Sequence, residues 1–180
     1  MKTKLIFFII LNIFICFELR ASNVIVSTQS AYKGDEVVFE LSIQDAQNDV
    51  KSFGIDINYS TDELKFKPDD YEIGPLLEQG YGYLEIKEQS PGFIRIGWFC
   101  MLNYKIPKHA SGIIAKLKFV ALKCKDSELK IVSLQDHIKD WHIQHGFFNI
   151  KENAFCWMDT DGDNKIGLRE IINLMKYLSK

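Results

Sequence analysis

The sequence predicts an all-β sandwich followed by a short acidic loop and an α-helix. Apolar and polar residues alternate through most of residues 24–150, and clusters of turn-forming residues interrupt the alternation at short intervals. A sustained helical spacing of apolar residues appears only beyond residue 167.

Val37, Phe39, Leu41 and Ile43 alternate with Val38, Glu40, Ser42 and Gln44. Successive side chains of a strand point to opposite faces, so this pattern marks a strand with one buried and one wet face. Phe53, Ile55, Ile57 and Tyr59 repeat it against Gly54, Asp56 and Asn58. Leu84 with Ile86, then Ile94, Ile96, Trp98 and Cys100, continue the series. Leu117, Phe119 and Ala121 alternate with Lys116, Lys118 and Val120, and residues 129–131 and 147–150 complete it. Turns are signalled at Lys33-Gly34-Asp35, Gln47-Asn48-Asp49, Ser60-Thr61-Asp62, Ser90-Pro91-Gly92 and Ser111-Gly112. Short strands separated in this way read as a sandwich with one continuous core between two sheets. One helical turn is expected over residues 74–79, before the Gly80-Tyr81-Gly82 break.

Residues 1–21 read as a secretory signal peptide. Lys2 and Lys4 precede an apolar run over residues 5–17, and the small Ala21 follows it. The run falls short of the about 20 apolar residues of a membrane span. The expected product is therefore secreted, to an extracellular or periplasmic space, although Leu19 fits a cleavage site poorly and leaves an N-terminal anchor as the alternative. Loss of Lys2, Lys4, Arg20 and Glu18 takes 22 basic and 24 acidic residues to 19 and 23. A mildly acidic chain without a basic stripe argues against nucleic acid as a partner. Cys100, Cys124 and Cys156 remain. An odd count permits one disulfide and one free thiol without choosing the pair, and buried free thiols are the simpler alternative.

The acidic loop is a calcium loop of the EF-hand kind. In residues 159–170, positions 1, 3 and 5 are Asp159, Asp161 and Asp163, and position 12 is Glu170. Calcium takes six to eight oxygens, and this spacing supplies them from three aspartates, the carbonyl of Lys165, a water held near Gly167, and both oxygens of Glu170. Asn164 stands where the pattern has glycine, and asparagine tolerates a left-handed conformation next best. Leu168, Ile171, Ile172, Met175 and Leu178 then fall on one face of a helix, a candidate partner-binding stripe. Only residues 151–158 separate the last β segment from Asp159, which leaves no room for a normal incoming helix.

Two resemblances follow from these residues. A strand beginning at Val24, then Gly34-Asp35 and an alternating strand, resembles the opening of cohesin domains. Phe53-Gly-Ile-Asp-Ile-Asn-Tyr with Leu64-Lys-Phe, then Gly112-Ile-Ile-Ala-Lys-Leu-Lys-Phe-Val-Ala-Leu and Gly146-Phe-Phe-Asn-Ile, are similar to later cohesin segments in order and spacing. The resemblance spans residues 23–151 and implies a nine-stranded jelly-roll β-sandwich that binds protein partners, within a superfamily that also binds carbohydrate, and it implies no catalysis. A calcium loop with a following helix and no incoming one, over residues 155–180, resembles a single dockerin repeat, where dockerins usually carry two. The expected protein is thus a secreted, calcium-binding, non-catalytic docking module with a dockerin- or cohesin-bearing partner. The rival readings are a carbohydrate-binding module and a structural surface or matrix protein.

Other constellations point less far. His137, His142 and His145 crowd around Trp141, but in extended chain His142 and His145 face opposite ways, and no recognised ligand spacing accompanies them. Trp98, in an Ile-x-Ile-x-Trp stripe, is expected in the core. Tyr81 and Tyr83 flank a glycine and are the candidates for exposed sugar-stacking rings, with Phe99 nearby in pattern. No nucleophile motif such as Gly-x-Ser-x-Gly occurs.

Overall fold

The computed structural model describes residues 23–78, 82–101, 104–151, 156, 158–159 and 165–179. The described residues form twelve strands: β1 (Asn23–Val26), β2 (Gln29–Ala31), β3 (Glu36–Gln44), β4 (Ser52–Asn58), β5 (Leu64–Phe66), β6 (Glu72–Ile73), β7 (Gly82–Ser90), β8 (Phe93–Cys100), β9 (Gly112–Ala121), β10 (Ser127–Asp136), β11 (His142–Gln144) and β12 (Gly146–Ile150). A short helix α1 (Pro75–Glu78) stands at the expected helical turn, and α2 (Leu168–Leu178) follows the acidic loop. The segment over residues 1–21 expected to be a signal peptide lies outside the described residues, and no described helix is long and apolar enough to cross a membrane.

One sheet has the order β11-β1-β3-β9-β5, with β6 also paired to β9; the other runs β2-β12-β10-β4-β8-β7. The strand count exceeds the expected nine because the first and last strands are each divided between the sheets, and β6 is an added short pairing. β1 pairs parallel with β11, and β2 pairs parallel with β12. Ser27 occupies the break where the chain leaves one sheet for the other. Its hydroxyl accepts a hydrogen bond from the Glu40 amide at 2.9 Å, and its own amide donates to the Glu40 carbonyl at 2.9 Å. A side chain thus completes a ladder that the departing backbone abandons. The returning strand passes so close that a Cβ on Gly146 would lie 2.4 Å from Val26 Cγ1, which only glycine avoids.

Alternation decides what fills the space between the sheets. Val37, Phe39, Leu41 and Ile43 of β3 and Leu117, Phe119 and Ala121 of β9 meet Phe53, Ile55 and Ile57 of β4 and Ile94, Ile96 and Trp98 of β8, all buried. Phe119 is the hub: its ring lies 5.5 Å from Phe39, 5.1 Å from Tyr59 and 5.1 Å from Phe66. Trp98 stacks on Phe53 at 5.4 Å inside the core. Tyr59 carries a polar handle from the core toward the β7–β8 turn. Its hydroxyl donates to Glu88 Oε1, which also accepts the Gly92 amide at 3.0 Å. Gly92 itself has φ +81°, in the left-handed region that a turn after Pro91 needs.

A disulfide joins Cys124, between β9 and β10, to Cys156, while Cys100 is a half-buried free thiol. This fixes the pair that spacing left open, since folding brings residues separated by 32 positions to a Cα distance of 5.4 Å. A loop of that length gives a cross-link worth roughly 3–4 kcal/mol in the chain-entropy view.

Phe119→Ala should lower unfolding free energy by about 3–5 kcal/mol in urea denaturation, because the cavity it leaves has three aromatic walls. Burial, and then the bond to Glu88, push the Tyr59 phenol well above its ordinary value. Unfolded tyrosine ionises at about 10 while the folded phenol holds its proton to higher pH, so this contribution to stability is intact below that pH and is progressively lost as pH rises above it. Tyr59→Phe should flatten the alkaline limb of a stability–pH profile.

Candidate functional site

The two outer faces of the sandwich differ in kind. On the first sheet, lysines and carboxylates pair across strands. Lys67 bonds Glu36, Lys118 lies 2.7 Å from Asp70 and 3.3 Å from Glu72, and Lys116 lies 3.5 Å from Glu72. The Lys118 ammonium holds the carboxyls of Asp70 and Glu72 below their ordinary values, and Glu36 raises that of Lys67. The part of this face around β9 and β6, occupied with its own ion pairs, is a solvated surface.

The outer face of β10-β4-β8-β7 is instead hollow at its middle. Register places Gly54 opposite Gly97, and Gly97 opposite Glu85, so two adjacent strands lack side chains at the same level. The result is a depression of about 290 Å³. The next level toward one end runs Ser52, Phe99, Tyr83, and the two aromatic rings touch at a centroid distance of 5.7 Å, half-exposed. Toward the other end stands an ion pair with one buried partner: Arg95 Nε and Nη2, on a half-exposed side chain, donate to the two oxygens of the buried Asp56 at 2.8 and 3.0 Å, and Gln135 adds a third bond at 3.3 Å. The Asp56 side chain is sequestered beneath Arg95, a bidentate arrangement that fixes the guanidinium plane at the rim. A Cβ on Gly97 would meet nothing within 4 Å, so the hollow is a property of this residue and not of tight packing. β7 is the edge strand of the sheet, and beside it a wider groove of about 640 Å³ runs between Tyr83, Glu85 and Lys87 and the segment at Asp69 and Tyr71.

The sequence pointed to Tyr81 and Tyr83: Tyr83 is on this face with Phe99 beside it, and Tyr81 lies outside the described residues. Missed were Gly54, Gly97 and the Asp56–Arg95 pair. Their facing positions depend on strand register, which alternation within each strand does not contain.

Of the calcium-loop residues, Asp159, Lys165, Gly167 and Glu170 are described, whereas Asp161 and Asp163 lie outside the described residues. The pattern of burial in this tail is inverted. Glu170 is 4% exposed and the Asp159 side chain 5%, whereas Leu168 is 74% and Met175 65% exposed. Ile171, Ile172 and Leu178 are exposed as well, so the whole predicted stripe of α2 faces outward. Glu170 Oε2 accepts the Gly167 amide at 2.9 Å, bracing the start of α2. Asp159 Oδ2 lies 3.7 Å from Lys33 Nζ, in the β2–β3 turn. Phe155 and Trp157, the intrachain candidates for covering the helix, lie outside the described residues.

The histidines are dispersed. His137 Nδ1 is 3.3 Å from the Ser52 hydroxyl, His145 Nδ1 accepts the Ile131 amide at 3.2 Å, and His142 is exposed on β11. Among the described residues no three His, Cys, Asp or Glu side chains gather as a metal site.

The family model of the cohesin domain matches residues 22–140. Solved cohesin structures superpose on the chain at low identity. A Clostridium acetobutylicum cohesin is 22% identical, with a TM-score of 0.59 over 74% of this chain and 93% of its own. The sixth cohesin of scaffoldin B from Acetivibrio cellulolyticus, solved in complex with a Cel5 dockerin, is 16% identical at a TM-score of 0.58, covering 73% and 99%. A non-cellulosomal cohesin from Archaeoglobus fulgidus is 16% identical at 0.56, covering 74% and 94%. Such identities speak for the fold alone, a jelly-roll-like sandwich of two curled sheets. No curated protein sequence matches the chain.

Arg95→Met should lower the urea midpoint more than Lys87→Met does, because it strands the Asp56 carboxylate whereas Lys87 leaves only an exposed pair. Adding Asp56→Asn to Arg95→Met should recover part of the loss.

Proposed function

The chain belongs to the cohesin domain family, and from that membership we propose that it is an exported, non-catalytic docking module that receives a dockerin-bearing protein and binds calcium through its tail. The observation that carries the docking half is the contrast between the outer faces. One sheet carries a lattice of ion pairs around β9 and β6. The other offers a glycine-floored hollow between an aromatic pair and a fixed guanidinium. Protein interfaces favour such aromatic and arginine anchors around a desolvated centre. The Acetivibrio cellulolyticus relative is a cohesin with a dockerin bound. Export is supported by the apolar run over residues 5–17 and by the Cys124–Cys156 disulfide, since disulfides persist in oxidising compartments.

The inverted burial of the tail supports calcium. Carboxylates are costly to bury and apolar residues are not, so a segment that hides Asp159 and Glu170 while exposing Leu168 and Met175 is organised around charge. The donor set is all oxygen, which suits calcium and not a soft transition metal. Asp159, Asp161, Asp163, the Lys165 carbonyl and Glu170 would hold the ion, with a water near Gly167. The cation would relieve carboxylate repulsion and fix α2, whose exposed stripe would then be presented to a partner.

A second reading rests on the half-exposed Tyr83–Phe99 pair, which also suits a sugar ring. Retention on insoluble polysaccharide that withstands high salt and disappears in Tyr83→Ala would favour it over docking.

Dockerin modules from the same secretome, assayed by calorimetry, should include one that binds the chain. Gly97→Arg should weaken that binding at least about ten-fold, since it fills the hollow at an energetic cost of roughly 1.4 kcal/mol or more, without moving the melting temperature. A panel with no binder, or a binder indifferent to Gly97→Arg, would remove the docking proposal. Calcium should raise the melting temperature, and Asp159→Ala with Glu170→Ala should abolish the rise.

A further inference from the structure

The edges of the two sheets are not alike. The first sheet ends at β11 and β5, and the second at β2 and β7. β11, β5 and β2 have three residues each, and β6, which shares one side of β9 with β5, has two. β7 has nine. Short edge strands present few unpaired backbone groups, and that is one way a sandwich avoids pairing with other chains. β7 lacks that protection. It contains no proline, its register with β8 is regular from Gly82 to Glu88, and no described residue pairs with its other side. The groove between this edge and the segment at Asp69 and Tyr71 is the space in which a further strand would lie.

The charges of the sheet say what that strand must carry. The level of Lys87 runs Asp56, Arg95, Lys87 across β4, β8 and β7, one anion followed by two cations, and the anion is already bonded to Arg95. The position beyond Lys87 therefore favours a carboxylate. The level of Glu85 runs Gly54, Gly97, Glu85, so the position beyond it favours a cation. Glu85 and Lys87 also bond one another along the strand, as an exposed pair that gains little. An antiparallel neighbour that answers both positions reads acidic, apolar, basic along its own direction. Glu85-Ile86-Lys87 of β7 reads that way itself.

We propose that β7 pairs antiparallel with β7 of a second copy of this chain, in the register that sets Ile86 opposite Ile86, joining two sandwiches about a two-fold axis. In that register Glu85 of each copy faces Lys87 of the other, so four charges alternate in sign around the axis. The neighbouring in-phase registers lose this match: one sets Glu85 opposite Glu85, and the other sets Lys87 opposite Lys87. The contact is a single edge, so the association is weak and reversible. It lies in the plane of the sheet and leaves the outer hollow of each copy accessible.

The test is sedimentation velocity of the full exported chain, disulfide intact, with amide hydrogen exchange as a second measurement. The native chain should dimerise reversibly as its concentration rises, and the β7 amides that do not bond β8 should gain protection as it does. Lys87→Glu and Glu85→Lys each set like charges opposite one another, and each should weaken self-association at least about ten-fold. Mixed in equal amounts, the two variants should associate with each other about as tightly as the native chain does with itself, which a folding defect in either would not allow. A native chain that stays monomeric at the highest concentration it tolerates would overturn the proposal and leave the groove to an extended segment of another protein. A dimer indifferent to both variants, or one without protection at β7, would overturn it as well and move the contact elsewhere, first to the exposed stripe of α2.

Discussion

Phe119 stands where Phe39, Tyr59 and Phe66 converge, and the contact between the two sheets is organised around it. Because β3 and β9 must turn every second residue toward this cluster, their remaining residues are forced outward in register. Glu40 arrives opposite Lys116, and Val38 opposite Lys118. The same constraint on β4 and β8 turns Gly54, Asp56, Arg95 and Gly97 outward together. The inner packing thus sets the level at which each outer residue sits, and the outer chemistry follows from which residue types occupy those levels.

The two outer faces illustrate how little separates a solvated surface from a receptive one. Both carry charge, but on the first sheet the partners are exposed lysines and carboxylates that gain little from one another. On the second, Asp56 is buried under Arg95, and Gly97, with the Gln135 side chain lying over neighbouring Gly54, leaves the guanidinium and the Tyr83–Phe99 rings standing around an open centre. Under the docking proposal, a partner side chain entering there would meet preformed walls. Little side-chain entropy remains to be lost on this side of the interface, which favours affinity without demanding a large area.

Much of the fold was legible in the residues because period-two alternation is a local signal. Residues 37–44 and 94–100 announced β3 and β8, the stripe at Ile94, Ile96 and Trp98 announced a buried Trp98, and Gly74 onward announced α1. The division of the first strand at Ser27 was not legible, since a serine after Val24-Ile25-Val26 gives no sign that its hydroxyl will replace a lost ladder bond. The hollow at Gly54 and Gly97 was hidden for a similar reason: two glycines 43 positions apart become one feature only when pairing sets them side by side. The disulfide pair and the approach of Lys33 to Asp159 are likewise products of topology. In the tail, helical spacing predicted α2 correctly as a helix, but spacing alone does not say whether an apolar stripe is covered, and here it faces outward.

The Cys124–Cys156 bond also changes how the chain would carry tension. Traction applied at α2 reaches Cys156 first and passes through sulfur to Cys124, at the end of β9. β10, β11 and β12 then lie inside a covalent ring that the force bypasses. Peeling β12 away from β2, the natural first failure for a strand at the C-terminal end of a sandwich, is removed from the mechanical path. The load falls instead on β9, which is paired along its length with β3 and also with β5 and β6. Force on the tail is thereby converted into a grip on the centre of the sheet.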